Sequence, residues 1–164
     1  MSRLDSFIRR LSAQRDILNH IVAEVSALDG PILELGLGNG RTFDHLREKF
    51  AGRRIIAFDR AANASAHSMP PAEDLILGEI QETAQSFLGI GAALAHADIG
   101  TGYPDKDALT LRWLPQLMAG VLAPDGIAMS GLPLDHPDLV SQSLPAGIQE
   151  DRYFLYRRRR SPQA

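Results

Sequence analysis

A four-residue apolar run, Ile32-Leu33-Glu34-Leu35, passes without a break into Gly36-Leu37-Gly38-Asn39-Gly40. A helical stripe of Phe43, Leu46 and Phe50 follows at once. A short buried strand, a glycine loop and a helix in that order is the unit that opens an α/β sheet and turns its ligand crevice toward the loop. The glycines let the backbone turn sharply and let a ligand approach where a Cβ would intrude. The rest of the chain keeps the same rhythm. Strands are predicted over 54–58, ending in Asp59, and over 75–77, 92–97 and 127–130. Helices are predicted from about Gln81 to Leu88 and from about Asp107 to Val121. The second of these carries Leu109, Trp113, Leu114, Leu117 and Val121 on one face. Strands alternating with helices signal a three-layer α/β fold, a mostly parallel twisted sheet with helices on both faces. Residues 60–73, rich in Ala, Asn, Ser and Pro, read as a loop with at most one weak helical turn. Tyr153-Phe154-Leu155-Tyr156 reads as an antiparallel C-terminal strand.

One domain over 1–164 accounts for these elements: an N-terminal helical segment (1–30), a core (31–131), and C-terminal strands with a basic tail (132–164). In the first segment Leu4, Phe7, Leu11, Leu18, Ile21, Val25 and Leu28 form a stripe that only Gln14 interrupts. One or two helices there pack over the sheet or the crevice, or pair with a second subunit; the sequence leaves these open. Beyond Gly131, Pro133, Pro137 and Pro145 blur the pattern. With 45% hydrophobic and 23% charged residues, 164 residues suffice to bury a core. The absence of cysteine excludes disulfide scaffolds and Cys nucleophiles. Seventeen basic against 20 acidic residues give a net charge of -3, so no global attraction to nucleic acid or an anionic membrane is expected. The longest apolar stretch, Phe87 to Ala95, is far short of the ~20 residues of a membrane helix. The first residues show no secretory h-region, and the expected location is cytoplasmic.

The glycine spacing separates nucleotide-binding modes. G-x-G-x-x-G would need glycine at position 41, which is Arg41, and the G-K-[ST] of a phosphate loop is absent. Glu34, just before the loop, would repel a pyrophosphate but suits a ligand with an ammonium group. ILELGLGNGRT resembles the first motif of class I S-adenosylmethionine-dependent methyltransferases, and the resemblance runs from about Pro31 to Gly131. RIIAFD resembles the acidic end of their second strand, LILGEI their third-strand segment, and LMAGVLAPDGIAMS their helix, turn and fifth strand. The resemblance implies a Rossmann-like methyltransferase fold with S-adenosyl-L-methionine as cofactor. It implies that Glu34 holds the methionine ammonium, directly or through water, and that Gly36, Leu37, Gly38, Asn39 and Gly40 line its amino-acid end. Asp59, followed by Arg60, would bind the ribose hydroxyls, Glu79 the adenine amino group and the Ile80 N–H a ring nitrogen. Asp98 and Ile99 would lie under the sulfonium. Each also has a local reading: Asp59 and Asp98 as caps, Glu79 as a solvated first-turn residue.

Methyl transfer from a sulfonium is an in-line displacement, so a base is required only if the acceptor carries a proton. Asp98 is the catalytic candidate. The [Asn/Asp/Ser]-Pro-Pro-aromatic motif of amino-methylating nucleic-acid enzymes is replaced by Asp98-Ile99-Gly100-Thr101-Gly102-Tyr103, which argues against adenine or cytosine methylation. His96 reads as a buried, hydrogen-bonded strand residue. Asp135-His136 reads as a surface turn, with a base as the alternative, and no metal is assigned to Asp98, Asp135 and His136. Arg157 to Arg160 reads as a solvated tail. With no separate recognition domain, the expected partner is a small molecule. The alternatives are a non-catalytic S-adenosylmethionine-binding module and an NAD(P)-dependent oxidoreductase on a related fold, against which Glu34 and Arg41 count.

Overall fold

The structure, a computed structural model, describes residues 1–160. Helix α1 (Arg3–Ser26) opens with a capping box: the Asp5 N–H donates to Ser2 Oγ, and the Ser2 N–H donates to the Asp5 carboxylate. It is one continuous helix whose stripe buries Ala13, Gln14, Ile17, Leu18, Ile21 and Val25. Its first turns overhang the sheet, leaving Leu4 and Phe7 exposed. Strand β1 (Ile32–Leu35), helix α2 (Arg41–Lys49), strand β2 (Ile55–Asp59) and strand β3 (Leu75–Leu77) follow. Then come α3 (Ile80–Thr83), β4 (Ala92–Ala97), α4 (Pro104–Thr110), α5 (Leu114–Val121), β5 (Leu122–Ser130), β6 (Leu139–Ser141) and β7 (Phe154–Arg158).

The seven strands form one sheet in the order β3-β2-β1-β4-β5-β7-β6. The first five are parallel; β7 runs antiparallel to both β5 and β6. The order in which strands are added reverses between β1 and β4, and that switch point places the ligand crevice of such a sheet at their carboxyl ends. Two apolar layers sandwich the sheet. One joins α1 and α2 to Ile32, Leu94 and Met129. The other joins α5 to Leu33, Leu35, Phe58 and Ala95, with Phe58 edge-on to Phe87 at 5.0 Å.

Four expectations need correction. The helix expected over 107–121 is two helices, because Pro115 cannot donate a backbone hydrogen bond and its ring clashes with the Leu111 carbonyl. The helix expected from Gln81 is one turn of α3 followed by a 3-10 turn over Ala84–Phe87. Pro124-Asp125-Gly126 does not precede the fifth strand but lies inside it, as an irregularity where pairing slips between Ala92–Leu122 and Leu94–Ile127. Finally, the solvated tail expected over Arg157 to Arg160 holds only for its last two residues: Arg159 and Arg160 are exposed, whereas Arg157 and Arg158 belong to β7 and are half-buried. Arg157 bonds Glu24, Arg158 the Leu122 carbonyl, Arg159 the Pro137 carbonyl and Arg160 Asp125. Residues 161–164 of that expected tail lie outside the described residues. Strand β6 was not foreseen; three residues between prolines carry no periodic signal.

Candidate functional site

Gly36 leaves β1 with φ 94, a conformation side chains rarely adopt. A Cβ there would meet Ile99 Cγ2 at 2.7 Å and the Asp98 carbonyl at 3.0 Å. This close approach locks the glycine loop against the end of β4. Gly38, at φ 53, has nothing within 4 Å of its Cβ position and opens into a cleft of about 1020 Å³. Gly40 faces away: a Cβ there would strike Ser68 at 2.7 Å, so it seats the start of α2 against the following loop and does not line the cleft.

At one end of the cleft stand Asp59, Arg60, Glu79 and Ile80. Asp59 closes β2, and its two carboxylate oxygens accept from the Gly38 N–H at 2.8 Å and the Arg60 N–H at 2.7 Å. Those two bonds fix the carboxylate plane and leave lone pairs toward the cleft. The Arg60 Nε donates to Glu79 at 2.9 Å, an exposed pair. Leu37, Asn39, Asp98 and Ile99 line the middle of the cleft with Gly36 and Gly38.

Glu34 stands behind the loop rather than on the cleft surface. It is 1% exposed, does not line the cleft, and sits in register beside His96 on β4. Its carboxylate lies 2.8 Å from His96 Nδ1, and His96 Nε2 lies 2.6 Å from the Tyr153 hydroxyl. That hydroxyl accepts from Gln14 Nε2 at 3.2 Å, and the same amide nitrogen donates to Asp98 Oδ2 at 2.7 Å. A polar chain therefore runs from the core to the cleft wall, and among the described residues no buried side-chain nitrogen or oxygen lacks a partner. Desolvation raises the Glu34 pKa against the pull of His96. Desolvation opposes the charge on His96, yet the Glu34 charge and hydrogen bond and the Asp98 charge hold its pKa above the usual value. Burial pushes the Tyr153 hydroxyl well above the ordinary phenol range.

Gln14, which as a lone polar residue in an apolar stripe looked like a flaw, is the link that ties α1 to Asp98. Its interruption of the stripe was the one signal in the sequence that pointed to it; Tyr153, in an apolar strand motif, gave no such sign. Asp98 Oδ1 remains 3.7 Å from Arg10 Nη1. Beyond Asp98 the cleft continues between α1, which contributes Phe7 and Arg10, and α4, which contributes Lys106 and Leu109; Arg112 and Trp113 close it. Asp135 and His136 lie off the cleft, where His136 Nε2 meets Gln116 at 2.8 Å.

A family described as S-adenosyl-L-methionine methyltransferase matches residues 1–158. The chain is 41% identical to an S-adenosyl-L-methionine methyl transferase from Silicibacter pomeroyi DSS-3, whose crystal structure superposes with a TM-score of 0.89 over 96% of this chain and 99% of that one. The antibiotic-resistance methyltransferase Kmr is 12% identical, with a TM-score of 0.56 over 85% of this chain and 91% of that one. A probable spermidine synthase from Corynebacterium glutamicum ATCC 13032 is 17% identical, with a TM-score of 0.55 over 76% of this chain and 47% of that one. The last two share the fold alone, and a fold by itself does not fix the acceptor. No curated protein matches the chain.

Proposed function

Since the chain belongs to the S-adenosyl-L-methionine methyltransferase family and takes that compound as its cofactor, we propose that it methylates a small-molecule acceptor held beside Asp98. The residues of the cleft fit the cofactor. Gly38 leaves open the space a Cβ would fill, and Asp59 is fixed by two N–H donors with acceptor capacity for a pair of ribose hydroxyls. Glu79 suits an adenine amino group, and the Ile80 N–H at the first turn of α3 has no intrahelical partner and suits a ring nitrogen. Gly36, Leu37, Asn39 and Ile99 complete that lining. When bound, the cofactor supplies a methyl group already activated on a sulfonium.

The protein's own work is to orient the acceptor and strip it of water. Gln14 holds Asp98 Oδ2, so Oδ1 is the freer oxygen and the atom that takes the acceptor's proton. Glu34, buried behind the loop, acts on the site through His96, Tyr153 and Gln14 and not by touching the ligand. The observation that carries the small-acceptor reading is the continuity of one cleft. It runs from Asp59 past Asp98 to Trp113, and at about 1020 Å³ it lies at the top of the range for small-molecule sites. No helix among the described residues is long and apolar enough to cross a membrane; a cytoplasmic setting is part of this proposal.

Transfer of labelled methyl from S-adenosyl-L-methionine to a panel of small oxygen, nitrogen and sulfur nucleophiles tests this reading. One or more should be labelled, and Asp98→Asn should lower kcat about 10²–10⁴-fold while the cofactor still binds. Label appearing only on RNA or protein would overturn the small-acceptor reading.

A further inference from the structure

We infer that the acceptor is an anion: a small molecule whose carboxylate or phosphate docks against Arg41, Lys106 and Arg112, with Arg10 beside Asp98. The inference rests on the methyltransferase reading of the same cleft. Its first support is a charge imbalance within the cleft. The acidic groups at the cofactor end are engaged, Asp59 by two backbone N–H donors and Glu79 by Arg60. The same cleft is also lined by Arg41 at the start of α2, Lys106 on α4 and Arg112 between α4 and α5. Among the described residues the side chains of these three form no ion pair and no hydrogen bond. Most other cations of the chain have partners, as Arg47 has Asp44, Arg54 has Asp74 and Arg53 has the carbonyls of Leu28 and Gly30. Unpaired cations lining one concavity give it a positive potential that attracts an anion.

The second support is how the cations are held. The guanidinium of Arg10 lies 5.5 Å from the Phe7 ring centroid and that of Arg41 6.0 Å from the same ring. Lys106 Nζ lies 5.0 Å from the Tyr103 ring centroid. A guanidinium held over a ring in this way still has N–H groups available to hold the oxygens of an anion. The exposed Phe7 and Tyr103 thereby acquire a purpose as supports for charge.

The third support is the cofactor's own chemistry. It carries one carboxylate against an ammonium and a sulfonium, so it is itself cationic and can satisfy at most one of these groups. The remaining cations call for a second, separate anion. A flanking carboxylate or phosphate on the acceptor supplies it, and the same contact turns the acceptor's nucleophilic atom toward Asp98.

The test uses the full-length protein saturated with S-adenosylhomocysteine and matched probes, salicylate against salicylamide and phenyl phosphate against phenol, titrated calorimetrically. At least one anion should bind about ten-fold or more tighter than its neutral partner, the scale of a charge-assisted hydrogen bond. Which pair shows the preference tells carboxylate from phosphate. In Lys106→Gln/Arg112→Gln the preference should vanish while S-adenosylhomocysteine affinity stays within about two-fold. Equal binding of charged and neutral probes overturns the inference, as does a preference that survives the double variant. A double variant that loses S-adenosylhomocysteine instead assigns these cations to the cofactor carboxylate and overturns it too. An RNA oligomer that binds in place of both small anions would assign them to a polymer, with the same consequence. Failure of wild-type protein to bind S-adenosylhomocysteine strikes the cofactor reading beneath, and is a separate result.

Discussion

Asp59 concentrates more of the cofactor reading in one side chain than any other residue. Its carboxylate is already braced by the Gly38 and Arg60 N–H groups, so a ligand meets a preset acceptor and spends little on ordering it. Asp59→Ala should weaken cofactor binding by about 1–3 kcal/mol through lost hydrogen bonds. Titration of the variant with S-adenosylhomocysteine checks this, and unchanged affinity would remove Asp59 from the site. Asp59 was legible because an acidic residue ending the second strand has a reason to be there. Gly36 and Gly38 were legible for the same kind of reason, a turn that other residues resist. Glu34 was legible as a charge but not by its contact: the β1–β4 register that puts His96 beside it is a tertiary fact. The gathering of Arg41, Lys106 and Arg112 into the lining of one cleft is tertiary in the same way, and no spacing in the chain announces it.

At the level of elements, α1 does two jobs with two halves. Its C-terminal half packs Ile17, Leu18, Ile21 and Val25 on the sheet, while its N-terminal half projects over the cleft and carries Phe7 and Arg10. Gln14 sits at the boundary and fastens the second half to the first. Gln14→Leu should leave the Tyr153 hydroxyl and Asp98 Oδ2 short of a donor, at a cost of about 1–3 kcal/mol in urea unfolding. It should also lower kcat more than it weakens cofactor binding; a variant with wild-type stability and turnover would deny the link. The helical period of α1 could be read directly, since a long stripe repeats its signal. The break between α4 and α5 is written in Pro115, which acts four residues upstream, while the apolar stripe runs on through it. β6 and the irregularity in β5 are set by pairing partners distant in sequence, beyond any local pattern.

For the molecule as a whole, the crossover between β1 and β4 gathers every part of the account at one rim of the sheet. The same crossover buries Glu34 and His96 side by side, and this couples stability to pH. Burial raises Glu34, and the Glu34 and Asp98 charges raise His96 despite its burial. The folded protein therefore holds protons that the unfolded chain, with ordinary values near 4.5 and 6.5, releases. Their contribution is fully present below those unfolded values and is lost as pH rises through the raised folded ones. Unfolding free energy should fall as pH rises above about 4.5 through Glu34 and above about 6.5 through His96, with a slope of up to about 1.4 kcal/mol per pH unit for each proton. In Glu34→Gln/His96→Gln that slope should flatten; equal slopes in urea titrations of the two proteins would mean the pair does not titrate there. The alternation of strands and helices, the parallel core and the antiparallel C-terminal strand were all legible, because each rests on periodicity and turn residues. The central claim is that this rim binds S-adenosyl-L-methionine through the glycine loop and Asp59. Calorimetric titration of the wild-type protein and Asp59→Ala with S-adenosylhomocysteine, with NAD as control, tests it most directly. Micromolar wild-type binding, a loss of about ten-fold or more in the variant and silence from NAD are the predicted results; no wild-type binding, or binding indifferent to Asp59, would contradict the account.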